Sequence, residues 1–118
     1  MPPVLIVDDD PDIRSSFAFM LQAEGYKTLT AANGKEALDL LRTIDPPCLI
    51  LLDLLMPVMD GVQFLAELRS GSDLAAIPVV IVSAASTVQP PPDTPRLSKP
   101  VAIDRLLTHV ERHCGPAA

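Results

Sequence analysis

Short apolar runs alternate along this chain with longer stretches in which apolar residues recur every three or four positions. The first run, Val4 to Val7, is continuous, as expected of a strand covered on both faces, and stops at the acidic cluster Asp8-Asp9-Asp10. Asp10 then caps a helix with Pro11 in its first position, where a missing N–H costs nothing. Ile13, Phe17 and Leu21 give that helix one apolar face, and Gly25 ends it. Tyr26 to Ala31 is a β-prone segment, and Asn33, three residues before Glu36, opens a second helix as a variant of the capping box. Ala37, Leu38, Leu41 and Ile44 line its face, and Pro46-Pro47 stops it. Cys48 to Leu52 is the next buried strand and closes at Asp53. Asp60-Gly61 opens a third helix carrying Val62, Leu65 and Leu68 and ended by Gly71. Ile77 to Val82 forms a fourth strand ending at Ser83, and a last helix runs from about Val101 to His113 with Ile103, Leu106, Leu107 and Val110 inward.

Alternating strands and helices with short connections imply parallel strands joined by right-handed crossovers, hence a three-layer α/β sandwich. One stretch breaks the rhythm. Between Ser83 and Lys99, where a crossover helix and a fifth strand belong, prolines stand at positions 90, 91, 92 and 95 and forbid a regular helix. The segment predicts at most one helical turn and an extended return, with Leu97 as the remnant of a fifth strand.

The 118 residues suffice for one core without staples. With aromatic residues at only 3%, that core must be built from aliphatic side chains. A net charge of -6 argues against direct nucleic-acid binding, because phosphate backbones select clustered Lys and Arg. Cys48 and Cys114 make no disulfide framework, and Cys48, opening an apolar strand, reads as a buried reduced thiol. That usage points to the cytoplasm. No stretch approaches the roughly 20 apolar residues of a membrane span, nor is there a basic segment followed by a signal-type apolar region.

Polar residues at the carboxyl ends of buried parallel strands lie where open α/β sheets bind ligands. Asp8, Asp9 and Asp53 converge there if their strands are neighbours. Three such carboxylates repel unless some protonate or a cation neutralises them, and an oxygen-only set favours Mg²⁺. Taken alone, Asp8 to Asp10 could equally be a solvated turn and a helix cap. Lys99, beside Pro100, would be a counter-charge at the same edge, aimed inward by a cis turn, and Ser83 offers a hydroxyl there. Alone, a Lys-Pro pair is an ordinary surface turn and Ser83 an ordinary strand end. His109 and His113, four apart on the last helix, lack a further metal ligand and read as solvated.

Together, the Val4 to Asp9 strand with its acid pair, Asp53-Leu54-Leu55-Met56-Pro57 with Asp60-Gly61 downstream, Ser83-Ala84 and Lys99-Pro100 resemble the receiver domain of bacterial two-component response regulators. The resemblance implies a flavodoxin-like five-stranded parallel sheet in the order 2-1-3-4-5, with the fourth crossover helix shortened or replaced by the proline-rich loop. It implies a single receiver domain over residues 1–118 with no output domain. It further implies that Asp53 accepts a phosphoryl group from a histidine kinase or phosphotransfer protein. Asp9, Asp53 and the Leu55 backbone carbonyl would hold Mg²⁺, Asp8 would act through water, and Ser83 and Lys99 would bind the phosphoryl oxygens. Pro57, Gly61 and Pro100 would shape the turns. Such a domain is not a turnover enzyme, apart from its own phosphoryl transfer and self-dephosphorylation. Its partners would be that donor and a downstream protein, with neither nucleic acid nor membrane contacted directly. Apolar residues at Leu55 and Ala85 imply slow self-dephosphorylation.

The chain departs from the family at Arg96, where an aromatic residue usually stands, and in its proline-rich segment, the parts through which the family relays the hydroxyl's movement to partners. Two rival readings remain. A receiver-like interaction scaffold that is never phosphorylated would have no need of Asp8, Asp9, Asp53, Ser83 and Lys99. A small metal-dependent aspartyl phosphatase usually carries a second acid where Leu55 stands.

Overall fold

The computed structural model describes residues 2–54, 61–71, 74–83 and 94–116. The elements run in chain order as strand β1 (Val4–Val7), helix α1 (Pro11–Ala23), β2 (Thr28–Ala31), α2 (Gly34–Leu41), β3 (Leu49–Leu52), α3 (Gly61–Ser70), β4 (Val79–Ser83), β5 (Arg96–Ser98) and α4 (Ile103–Cys114). The five strands form one sheet in the order β2-β1-β3-β4-β5, and every pair is parallel. This is the flavodoxin-like order that the sequence implies. The residues expected to carry a shortened fourth crossover, 84–93, lie outside the described residues.

Strand periodicity sorts the core into two layers. Successive side chains point to opposite faces of a sheet. Accordingly Leu5, Val7, Ile50 and Leu52 pack with Ala37, Leu38 and Leu41 of α2 and Phe64, Leu65 and Leu68 of α3. Val4, Ile6, Leu49, Leu51, Val80 and Val82 instead meet Leu21 of α1 and Leu106 and Val110 of α4. β1 and β3 are apolar throughout, and β4 is apolar up to its last residue Ser83, because each faces a helix on both sides.

Local signals set the helix starts. Asp10 Oδ1 accepts from the backbone N–H groups of Asp12 and Ile13, at 2.9 and 3.4 Å, ahead of Pro11. Asn33 Oδ1 accepts from Glu36 N–H at 2.8 Å. Strand starts are less legible: β2 begins two residues after Tyr26, β3 one after Cys48 and β4 two after Ile77, although Tyr26 and Ile77 are buried. On α3 the buried stripe is Gly61, Phe64, Leu65 and Leu68. Val62 lies off that stripe and is 46% exposed, so its inward assignment is wrong and Phe64 is the core residue in its place. Ile103, also expected inward, is the first residue of α4 and is 40% exposed. The two histidines of α4 are half-buried rather than solvated.

The reading of Cys48 as a reduced thiol is also overturned. Cys48 and Cys114 are joined by a disulfide, with their Cα atoms 5.2 Å apart. Helix α4 runs back against the strand direction, so its last residue arrives beside the start of β3, and a separation of 66 positions hides that meeting from the sequence. Next to it, the Tyr26 hydroxyl donates to the Gly115 carbonyl at 2.8 Å. No described helix is long and apolar enough to cross a membrane.

Candidate functional site

Adjacent strands of equal register deliver the acidic residues to one place. Val7 pairs with Leu52 at the carboxyl ends of β1 and β3, so Asp8 and Asp53 are the next residue on each strand. The Asp53 N–H donates to the Val7 carbonyl at 3.0 Å, and the Asp8 N–H to the Ala31 carbonyl at 3.2 Å. The chain leaves β1 toward β2 on one side and returns as β3 on the other, and this reversal opens the crevice where doubly wound sheets hold ligands.

The three consecutive aspartates have different surroundings. Asp8 is buried; its Oδ1 accepts from the Asp10 N–H at 2.9 Å and its Oδ2 from Lys99 Nζ at 2.7 Å. Asp9 is exposed, and Asp10 caps α1. One carboxylate oxygen each from Asp8, Asp9 and Asp53 lie within 4.8 Å of one another. Asp53 itself is only 7% exposed.

Lys99 follows β5 and reaches across β4 to this cluster. The Lys99 N–H is tied to the Ser83 carbonyl at 3.3 Å, and the Lys99–Pro100 peptide bond is cis. Its ammonium bridges Asp8 at 2.7 Å and Asp53 at 3.4 Å, the closer bond going to Asp8. Burial pulls the ammonium pKa down, but the Asp8 hydrogen bond and the charges of Asp53 and Asp8 outweigh it and leave the pKa above the usual lysine value. Lys99 is therefore a cation at neutral pH, partly balancing three carboxylates.

Ser83 ends β4 and is buried at the same edge, opposite Ser98 of β5. Gly61 starts α3 directly beneath the site: a Cβ there would overlap the Asp53 carbonyl oxygen and lie 2.6 Å from Leu54 Cα. Its N–H donates to the Leu54 carbonyl at 2.9 Å. Leu55 and Pro57 lie outside the described residues. Arg14 has no sequence signal of its own, yet its Nη1 donates to the Asp8 carbonyl at 2.7 Å and ties the turn after β1 to α1.

Three clustered carboxylates with one ammonium retain negative charge, and their all-oxygen donor set fits a hard divalent cation such as Mg²⁺ better than a soft metal. Fold and site together define a doubly wound α/β domain with an acidic pocket and a lysine counter-charge at its switch point. Residues 4–111 match the response regulator receiver domain, and the chain belongs to that family, which serves two-component signalling. It is 34% identical over 117 residues to an uncharacterised 14.6 kDa protein of Leptolyngbya boryana, covering 94% of this chain and 88% of that one. To the response regulator MprA of Mycolicibacterium vanbaalenii it is 38% identical over 85 residues, 72% of this chain and 36% of that protein, so it spans about a third of that relative's length. Among solved structures, the chemotaxis protein CheY4 of Vibrio cholerae superposes with a TM-score of 0.81 at 31% identity, covering 96% of this chain and 98% of that one. The response regulator TrrA of Thermotoga maritima, in complex with Mg²⁺ and BeF, gives 0.83 at 30% identity, covering 95% and 98%.

Proposed function

We propose that this chain is a Mg²⁺-dependent phosphoryl acceptor whose nucleophile is Asp53, receiving its phosphoryl group from a histidine kinase or a phosphotransfer protein. The observation that carries the reading is the meeting of Asp8, Asp9 and Asp53 within 4.8 Å, with Lys99 bridging two of them. Phosphoryl transfer asks for positioning and charge neutralisation more than covalent assistance. An Asp53 oxygen attacks phosphorus in line as the phosphorus–nitrogen bond of a phosphohistidine breaks and its electron pair returns to the imidazole. Lys99 binds a phosphoryl oxygen and keeps the added charge tolerable in a buried pocket. The Ser83 hydroxyl donates to another oxygen of the same group. Asp8, Asp9, Asp53 and the Leu55 carbonyl would hold Mg²⁺, which supplies the remaining positive charge around the transferring group.

The donor would approach over α1, where Asp12, Ile13, Ser16 and Phe17 join Lys99, Pro100 and Val101 around an open depression of about 550 Å³. A kinase donor draws on ATP, which places the exchange in the cytoplasm. The protein acts as a stoichiometric acceptor and not as a turnover enzyme.

Incubation with acetyl phosphate and Mg²⁺, followed by intact mass, tests the assignment. A phosphoryl adduct is expected on the wild type, none on Asp53→Ala, and none on the wild type in excess EDTA. An adduct on both proteins, or on neither, would remove Asp53 as the acceptor.

A further inference from the structure

The disulfide lies at the end of the sheet opposite the acidic pocket and plays no part in the chemistry above. It joins the residue that leads into β3, the strand ending at Asp53, to the last residue of α4, the helix that follows Lys99. Three observations bear on what it does. Both cysteines are only half-buried, so neither is sealed in the core. The Cys48 Sγ sits 3.4 Å from the Pro2 carbonyl oxygen and 3.5 Å from that of Pro3, two acceptors that a reduced Cys48 thiol could donate to without moving. The end of α4 has a second attachment, the Tyr26 hydroxyl bond to Gly115, while Leu106 and Val110 stay buried against the sheet. The fold therefore accommodates the dithiol as well as the disulfide. In a thiol-buffered compartment, pairs of this kind are transient and redox-sensing more often than permanent.

We propose that Cys48 and Cys114 form a reversible thiol–disulfide site, exchanging with low-molecular-weight disulfides and thiols of the glutathione class. In the oxidising direction, the thiolate of one cysteine attacks a sulfur of the small disulfide. A mixed disulfide forms and one small thiolate leaves to take up a proton. The second cysteine's thiolate then attacks the protein sulfur of that mixed disulfide, closing the Cys48–Cys114 bond and expelling the second small thiol. Two protein thiols lose two electrons, and one small disulfide becomes two thiols carrying the two protons; reduction is the reverse. Closure pins the last turn of α4 to the base of β3, and opening leaves that turn held by Tyr26 and the buried face.

The full-length chain is equilibrated in buffers of varied reduced-to-oxidised glutathione ratio without denaturant, alkylated with iodoacetamide, and weighed intact. The expected result is a single reversible transition between an unalkylated species lighter by two hydrogens and a doubly alkylated species. The reduced form should stay folded by circular dichroism, melt about 10 °C lower, and exchange amide hydrogens faster in the last turn of α4. Cys48→Ala and Cys114→Ala should each abolish the species lighter by two hydrogens, leaving only a single thiol or its glutathione adduct. Free thiols that never close internally, a disulfide that native-state reductant cannot open, or a reduced form that unfolds would each overturn the proposal. Acetyl phosphate in parallel samples reads the Asp53 adduct as a separate mass, so a failure of the phosphoacceptor reading is distinguishable from a failure of the thiol site.

Discussion

Asp8, Asp9 and Asp10 share one side chain and differ in what surrounds it. Burial and the Lys99 ammonium hold Asp8 inside the pocket, Asp9 faces solvent at its rim, and Asp10 satisfies the first N–H groups of α1. The sequence places all three at the end of a strand, and the capping signal before Pro11 singles out Asp10; the division between Asp8 and Asp9 depends on how the turn is tied. Arg14 does part of that tying through the Asp8 carbonyl, a contact no spacing rule announces. Gly61 is the residue on which the pocket floor is most exacting, because a Cβ there meets the backbone of Asp53 and Leu54, which cannot swing aside as a side chain can. Gly61→Ala is expected to cost about 1–3 kcal/mol in urea unfolding. It should also weaken Mg²⁺ binding measured by titration calorimetry, because relief of the overlap shifts the Asp53 backbone. An unchanged midpoint would mean that the start of α3 gives way without cost.

At the scale of elements, capping residues and apolar periodicity locate α1 and α2 closely, whereas on α3 they find Leu65 and Leu68 but take Val62 in place of Phe64, and on α4 they turn Ile103 inward although it is exposed. A helix buries whichever stripe faces its neighbours, and Val62 and Phe64 are both apolar enough to have been chosen from sequence. Only the packing of Phe64 against the α2 side of the sheet decides between them. On α4 the same packing leaves His109 half-buried, its Nδ1 buried with no hydrogen-bond partner among the described residues. Burial, then the positive charges of Arg112 and His113, holds its pKa below the ordinary histidine value of 6.5. The folded chain therefore prefers neutral His109, while the unfolded chain takes up a proton as pH falls through that ordinary value. Stability should fall as pH drops through the histidine range and level off only below the depressed folded pKa. Urea midpoints measured between about pH 7.5 and 5.5 should decline more for the wild type than for His109→Gln, in which this titration is absent. Equal declines would show that His109 carries no such linkage.

For the whole molecule, two apolar layers sandwich a five-stranded sheet, and the layer formed with α2 and α3 hinges on Phe64 of α3, fully buried against α2 and the strands. Phe64→Ala is expected to destabilise the fold by about 3–5 kcal/mol in chemical denaturation, while the conservative Phe64→Leu should lose considerably less. Fold class and the identity of the acidic residues follow from local patterning. Continuous apolar runs can be satisfied only by strands covered on both faces, and polar residues that end such runs must emerge at one edge of a parallel sheet. Alternation, caps and turn residues are local, and local physics is written in adjacent positions. Contacts between distant positions are not. That Lys99 passes β4 to bond Asp8 more closely than Asp53, and that Cys114 meets Cys48 across 66 residues, both depend on where α4 and β5 come to rest. Those placements follow from burying two apolar layers at once, a global requirement of packing, and so only the tertiary structure decided them.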